Sequence, residues 1–143
     1  MSAPSFLTAS SSAGFRVFNA NGTGTVTGIG TSTTAPVPPG SSFTAQSSSA
    51  SAFDFRYSFT YTVASNGIIA STLVPGSYLE TFTTGPRTGQ TVTQDVLSGY
   101  GFLSPDGKTE VTVTGTTEVE TRTFSNGDVR QEVCNRNGTA ILQ

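Results

Sequence analysis

The chain has 143 residues, the length of one domain, and only 11% of them are charged, with a net charge of −2. The absence of His excludes imidazole catalysis and His-ligated metals, and a single Cys excludes an intrachain disulfide, a structural zinc site and an iron–sulfur cluster. Few, scattered basic residues exclude an electrostatic nucleic-acid surface, and no apolar run is long enough for a membrane helix. We therefore expect no cofactor, no metal, no nucleic-acid partner and no membrane span.

Two segments lack the apolar residues that a folded element would bury. Residues 1–13 are rich in Ser and Ala and predict a flexible N-terminal arm, which leaves 14–143 as the folded domain. Residues 31–52 contain Pro38-Pro39-Gly40 and a run of serines, and they predict a long loop because this combination does not continue a strand. Loops of this length in a compact domain are usually functional or disordered.

The clearest strand covers residues 53–64, where every odd position up to 63 is aromatic or apolar. These positions are Phe53, Phe55, Tyr57, Phe59, Tyr61 and Val63. Because successive strand side chains point to opposite faces, the aromatic residues share one side of the sheet. We expect Phe55 and Phe59 to lie at the centre of the core. Asn66-Gly67 follows and predicts a type I′ hairpin turn, in which both central residues have positive φ.

The rest of the chain repeats short alternating segments that are separated by Gly, Pro and Asn. Further strands are predicted at 15–18, 24–30, 68–74, 78–83, 91–96, 100–102, 109–114, 118–124, 129–133 and 139–142. No segment has a useful helical period. The sequence therefore predicts an all-β protein with a single antiparallel domain.

Sequential hairpins favour closure of this sheet into a small up-and-down β-barrel, because an antiparallel sheet of this size must protect its edges. The long connection at 31–52 also suits a Greek-key sandwich, which remains the alternative. The predicted layout resembles the small lipocalin-type and allene-oxide-cyclase-type barrels in architecture, without a shared sequence motif. A common architecture does not determine function.

Charged residues alternate with apolar ones in several predicted strands. On this pattern we expect a solvated outer face with weak cross-strand ion pairs. The residues predicted to lie there are Asp54, Arg56, Glu118, Glu120, Arg122, Arg130 and Glu132.

Glu80 differs from these residues because it shares its strand face with Tyr78 and Phe82. If that face is the core, the carboxylate points inward among aromatic rings and becomes a candidate acid or base. The alternatives are an edge strand that exposes this face and an ion pair with an arginine.

The tyrosines are candidate ligand-binding residues, because a tyrosine combines a rigid apolar body with a polar tip. With Glu80, the predicted binding residues are Tyr57, Tyr61, Tyr78 and Tyr100. The same side chains also suit core packing or a protein interface. We predict no catalytic residue and no metal ligand.

Gly24, Gly28 and Gly30 are spaced loosely like a phosphate-binding loop. No helix is predicted after them and no Lys lies near, so the match has no specificity.

Composition favours a non-catalytic structural or interaction protein, such as a virion, filament or cell-surface component, that forms a homo-oligomer or binds an assembly partner. Low charge and abundant Ser and Thr are typical of extracellular or particle-associated proteins, although the N-terminus carries no signal peptide. The alternative is a barrel that binds an apolar small molecule, or a metal-free cyclase or isomerase, with an aromatic lumen and an inward carboxylate. A third hypothesis is a membrane barrel, against which the short predicted strands argue.

Overall fold

The computed structural model describes residues 5–37, 48–113 and 118–141, and every regular element in these residues is a β-strand. All the strands belong to a single antiparallel sheet. They are β1 (Ser5–Phe18), β2 (Thr23–Val37), β3 (Ser49–Val63), β4 (Ile68–Leu73), β5 (Leu79–Phe82), β6 (Thr91–Gln94), β7 (Ser98–Leu103), β8 (Thr109–Val113), β9 (Glu118–Phe124), β10 (Val129–Cys134) and β11 (Asn137–Ile141). The prediction of an all-β antiparallel fold is confirmed.

The short strands combine end to end into longer rows. β4 and β5 both pair with the same edge of β3, one after the other. In the next row, β7 pairs with β4 and β6 pairs with β5. In the row after that, β8 pairs with β7 and β9 pairs with β6. In the last row, β11 pairs with β8 and β10 pairs with β9. With β1, β2 and β3 as single strands, the described sheet is a meander of seven rows in sequence order. No Greek-key crossover occurs in these residues.

The sheet is curled but not closed, so a barrel is not confirmed. The first row is β1 and the last row is β10 with β11, and no ladder joins them in the described residues. Consecutive rows alternate in direction, so an odd number of rows leaves the first and last running the same way. Closure would therefore require one parallel pairing in an otherwise antiparallel sheet.

β1 and β2 extend into segments that the sequence analysis assigned to an arm and a loop. β1 begins at Ser5, β2 continues to Val37, and β3 begins at Ser49, while the intervening residues 38–47 lie outside the described part. The register between β1 and β2 is continuous from Ser5↔Val37 to Phe18↔Gly24. Because backbone pairing does not require apolar side chains, these Ser- and Thr-rich segments form strands that apolar content alone does not predict, exposed along the start of β1 but with Ala35 of β2 buried.

The Asn-Gly turns differ from the predicted type I′ geometry. Gly67 has a φ of +82°, but no residue other than glycine has positive φ in the described chain, which excludes positive φ at Asn66. The Gly67 amide donates to the Ala64 carbonyl, and the Ala64 amide donates to the Ile68 carbonyl. This is the three-residue hairpin loop in which a glycine supplies the left-handed position after an ordinary turn.

The aromatic face of β3 forms the middle of the core. Phe59 is 1% exposed, and its ring packs edge-to-face against Phe18 at a centroid distance of 5.4 Å. A second cluster contains Phe53, Phe82, Val92 and Phe124, and the half-buried Phe55 packs against it. Phe59 therefore occupies the expected central position, whereas Phe55 lies beside the second cluster.

The predicted outer face of β9 and β10 is wrong. Asp54 and Arg56 are exposed on β3 as expected, but Glu118 and Glu120 are buried. The side chains of Arg122, Arg130 and Glu132 also point inward. Arg122 lies opposite both Arg130 and the buried Gln94, and Glu132 lies opposite the buried Glu120. The apolar partners in these strands, Val119, Val129 and Val133, are exposed instead. The charges lie inside because arginines and carboxylates from different rows meet there and form ion pairs.

Candidate functional site

The inner face of the curled sheet surrounds an open cavity of about 1880 Å³. One wall is the aromatic face of β3, and the opposite wall carries charged side chains from β8, β9 and β10. All sixteen charged residues of the chain lie in the described part, and eleven of them line the cavity or are buried on the inner side. These eleven are Arg16, Glu80, Arg87, Glu110, Glu118, Glu120, Arg122, Asp128, Arg130, Glu132 and Arg136.

Glu80 is buried on β5, where it lies in register with Phe55 and Val92. Its Oε2 accepts a hydrogen bond of 2.8 Å from the Tyr78 hydroxyl and lies 2.7 Å from Arg122 Nη2. Burial and the nearby Glu80 charge raise the pKa of Tyr78 well above its usual range, so Tyr78 remains a hydrogen-bond donor. Glu80 Oε2 therefore contacts both a neutral hydroxyl donor and a guanidinium.

Arg122 joins β5 to β9 and β10. Besides Glu80, its guanidinium contacts Glu132 through Nη1 at 3.4 Å. Burial alone would lower the pKa of Arg122, but the two carboxylates raise it above its ordinary value, which keeps the guanidinium charged. The ion pair that the sequence analysis gave as an alternative for Glu80 is present, and it lies inside the sheet.

Three of the five predicted binding residues come together. Tyr57 stacks on Tyr78 with a centroid distance of 5.8 Å and an interplanar angle of 21°, and Tyr78 holds Glu80. Tyr61 lies toward the far end of β3, where its hydroxyl donates to the Asn19 carbonyl at 2.6 Å. Tyr100 is exposed on the outer face of β7, away from the cavity.

A second cluster surrounds Arg136, in the short connection between β10 and β11. The guanidinium makes a two-point contact with Glu120, in which Nη2 lies 2.5 Å from Oε2, and Nη1 lies 3.9 Å from Glu118. Glu118 also accepts a hydrogen bond of 3.0 Å from the Ser98 amide. The Cys134 thiol donates to Glu120 at 3.4 Å, and burial together with that carboxylate raises its pKa to about 11, which makes it a poor nucleophile.

A third cluster joins the first row of the sheet to β8. Arg16 Nη1 donates to Glu110 Oε1 at 3.0 Å, and the Arg16 guanidinium lies over the Phe59 ring at 4.7 Å from its centroid. The Glu110 side chain is 1% exposed. It packs over Gly101, where a Cβ would overlap its carboxylate. Among the described residues, Glu110 Oε2 has no hydrogen-bond partner.

The sequence analysis missed Arg16, Glu110 and Arg136, and it put Glu118 and Glu120 on the wrong face. One sequence feature could have indicated the inward position of Glu110. In the strand beside it, Tyr100 and Phe102 share one face, while Gly99 and Gly101 occupy the other. Small residues leave room for a long side chain from the neighbouring strand. No comparable signal in the sequence locates Arg136.

The described residues contain no group of three or more carboxylate or thiol side chains arranged to hold a metal ion. No helix in the described segments is long and apolar enough to cross a membrane. Comparison with models of protein families, with curated proteins and with solved structures finds no match.

Proposed function

We propose that the protein is a non-catalytic interaction protein that assembles with copies of itself through the outer face of its sheet. The observation that supports this is the distribution of charge in the described residues. Eleven charged side chains are on the inner side, three lie in turns away from the cavity, and only Asp54 and Arg56 lie on the outer face of the strands.

The outer face of β7, β8 and β11, which we call the apolar patch, is the proposed contact surface. Its members are Tyr100, Phe102, Val111, Val113 and Ile141. Tyr100 lies opposite Val113 and Phe102 opposite Val111 in the ladder, so their side chains are direct neighbours. Ile141 extends this surface and is 82% exposed. Contiguous exposed apolar surface of this kind marks interaction sites in soluble proteins.

A second copy of the chain fits this surface better than a charged partner does. The patch contains no charged residue, so it offers no electrostatic selection for a partner of opposite sign. An uncharged apolar face can pack against its own copy, as the faces of two stacked sheets do. The net charge of −2 makes repulsion between copies weak. Such an assembly would agree with an extracellular or particle-associated location.

The mass of the native protein tests this proposal. Sedimentation velocity or light scattering over a series of concentrations should give a defined multiple of 14.8 kDa. Val111→Lys should shift the mass toward the monomer, because a lysine at the centre of the patch would be buried without a partner charge. Thr60→Lys on the exposed outer face of β3 adds the same charge outside the patch and should leave the mass unchanged. A monomer at every concentration, or an unchanged mass in Val111→Lys, would contradict the proposal.

The cavity supports a second candidate function, the binding of a small molecule on the inner side of the sheet. The specific observation is the group of Tyr57, Tyr78 and Glu80, which line the cavity beside the aromatic wall. Pockets that hold small molecules typically combine an apolar wall with a few polar groups. Because Glu80 already has two partners, we propose it as a positioning group rather than as an acid or base.

A further inference from the structure

Glu110 is a buried carboxylate with half of its hydrogen-bonding capacity in use. Oε1 accepts from Arg16 Nη1, while Oε2 has no partner among the described residues although the residue lines the cavity. An ionised carboxylate oxygen that is removed from water needs a donor, since leaving it unpaired costs far more than an unpaired neutral group. The Arg16 Nε donor is also without a partner among the described residues, so the Arg16–Glu110 pair is joined by one hydrogen bond and leaves Oε2 open to an added donor.

The charge balance around this oxygen is negative. On the whole inner side there are six carboxylates and five guanidinium groups. The Phe124 end has three of each, and these charges balance; they are Arg87, Arg122, Arg130, Glu80, Asp128 and Glu132. The remaining charged groups are three carboxylates, Glu110, Glu118 and Glu120, and two guanidinium groups, Arg16 and Arg136. The unpaired negative charge is therefore at the Glu110 end of the cavity.

Aromatic surface adjoins this end. Phe59 lies under the Arg16 guanidinium, which shows that its ring face receives a cation at this place. Tyr57 is close enough to Arg16, Arg136 and Glu110 for all three to influence its hydroxyl. A ligand cation at Glu110 would thus have an aromatic wall beside it.

From this geometry we propose that the cavity binds an organic cation, a primary ammonium or amidinium group on an aromatic or alkyl body, with the cation donating to Glu110 Oε2 and the body against Tyr57. The ammonium donates to the unpaired oxygen, neutralises the surplus charge and places its apolar part beside the Tyr57 ring. The inference rests on the second candidate function, binding inside the cavity, and adds the ligand class and the residue that selects it.

Calorimetric or NMR titration of the full chain with three matched probes tests the inference. The probes are benzylammonium, benzyl alcohol and benzoate, which share a ring and differ in charge. We expect saturable binding of benzylammonium that is about tenfold tighter than that of benzyl alcohol, with benzoate weakest, since a charged hydrogen bond adds roughly this factor. This comparison requires no variant and remains valid if a substitution prevents folding.

Two variants and one control locate the cation. Glu110→Gln should lower benzylammonium affinity to the level of benzyl alcohol, while Asp54→Asn removes the same charge from the outer face and should leave it unchanged. Arg16→Gln should tighten benzylammonium binding severalfold, because it removes the competing cation from Glu110. Circular dichroism melting verifies that each variant is folded.

The outcomes separate the two proposals about the cavity. Equal binding of benzylammonium and benzyl alcohol, or unchanged affinity in folded Glu110→Gln, would overturn the cation inference and leave cavity binding in place. Failure of all three probes to bind would overturn both proposals about the cavity. Neither result depends on the oligomeric state.

Discussion

Phe59 is the most enclosed aromatic residue of the inner face. Its ring contacts Phe18 edge-to-face and carries the Arg16 guanidinium on one side. Truncation of this ring would leave a cavity and would also remove the surface on which Arg16 lies, so the damage would extend to the Arg16–Glu110 ion pair.

Phe59→Ala should therefore lower the free energy of unfolding by about 3–5 kcal/mol. Phe15→Ala is the matched control, because Phe15 is 82% exposed on the outer side of β1 and its loss should change stability by no more than about 0.5 kcal/mol. Urea denaturation of both variants measures the difference. A loss below about 1 kcal/mol for Phe59→Ala would contradict its central position.

The candidate site shows how far single residues can be predicted from the sequence. The phase of Glu80 with Tyr78 and Phe82 predicted an inward carboxylate beside a tyrosine, and the hydrogen bond between Tyr78 and Glu80 has this arrangement. Its other partner, Arg122, lies 42 residues further along the chain in a strand whose face was predicted wrongly. Alternation within one strand specifies neighbours on that strand but carries no information about the strand packed opposite.

At the level of elements, β2 and β3 fit together through glycines and aromatic rings. Gly24, Gly28 and Gly30 lie opposite Phe59, Phe55 and Phe53 in the ladder. At each glycine a Cβ would overlap the ring of its partner. The three glycines are therefore explained by cross-strand packing, and not by the phosphate loop that their spacing loosely resembles.

Gly30→Ala should destabilise the protein by about 1–3 kcal/mol, because the new methyl group would lie 2.6 Å from Phe53 Cε2. In the Phe53→Leu background the same substitution should cost less by at least about 0.5 kcal/mol, since leucine leaves more room. A double-mutant cycle of unfolding free energies measures this coupling. Additive effects would show that the clash is relieved elsewhere, for instance at the Ser11 carbonyl.

The inverted faces of β9 and β10 are also a property of elements. In β9, Val119 alternates with Glu118 and Glu120, which is the pattern of an ordinary half-buried strand. This alternation is the same whichever of the two faces is buried. The charged side faces inward because its members find opposite charges on other elements: Glu120 pairs with Arg136, and Arg122 pairs with Glu80 of β5. A two-residue period defines the two faces of a strand. Which face is buried depends on the ion-pair partners that other strands provide.

For the whole molecule, the seven-row meander predicts a gradient of backbone protection. β3 is paired along both edges, whereas β1 pairs only with β2 and its side chains are largely exposed. Hydrogen exchange followed by mass spectrometry should show the fastest exchange in peptides covering residues 5–13 and the slowest in those covering 53–63, in the isolated protomer. Equal protection of the two segments would mean that another surface covers the free edge of β1.

The sequence by itself determined the all-β class, the antiparallel hairpins, the aromatic face of β3 and the strand face that Glu80 shares with Tyr78 and Phe82. These features depend on local alternation and turn residues, which act over a few positions of the chain. Only the tertiary structure decided the open sheet, the uncharged outer face and the clusters around Glu110 and Arg136. The physical reason is that burial of a charge depends on whether an opposite charge arrives from a distant row, and pairing between rows is set by the whole meander rather than by any one strand.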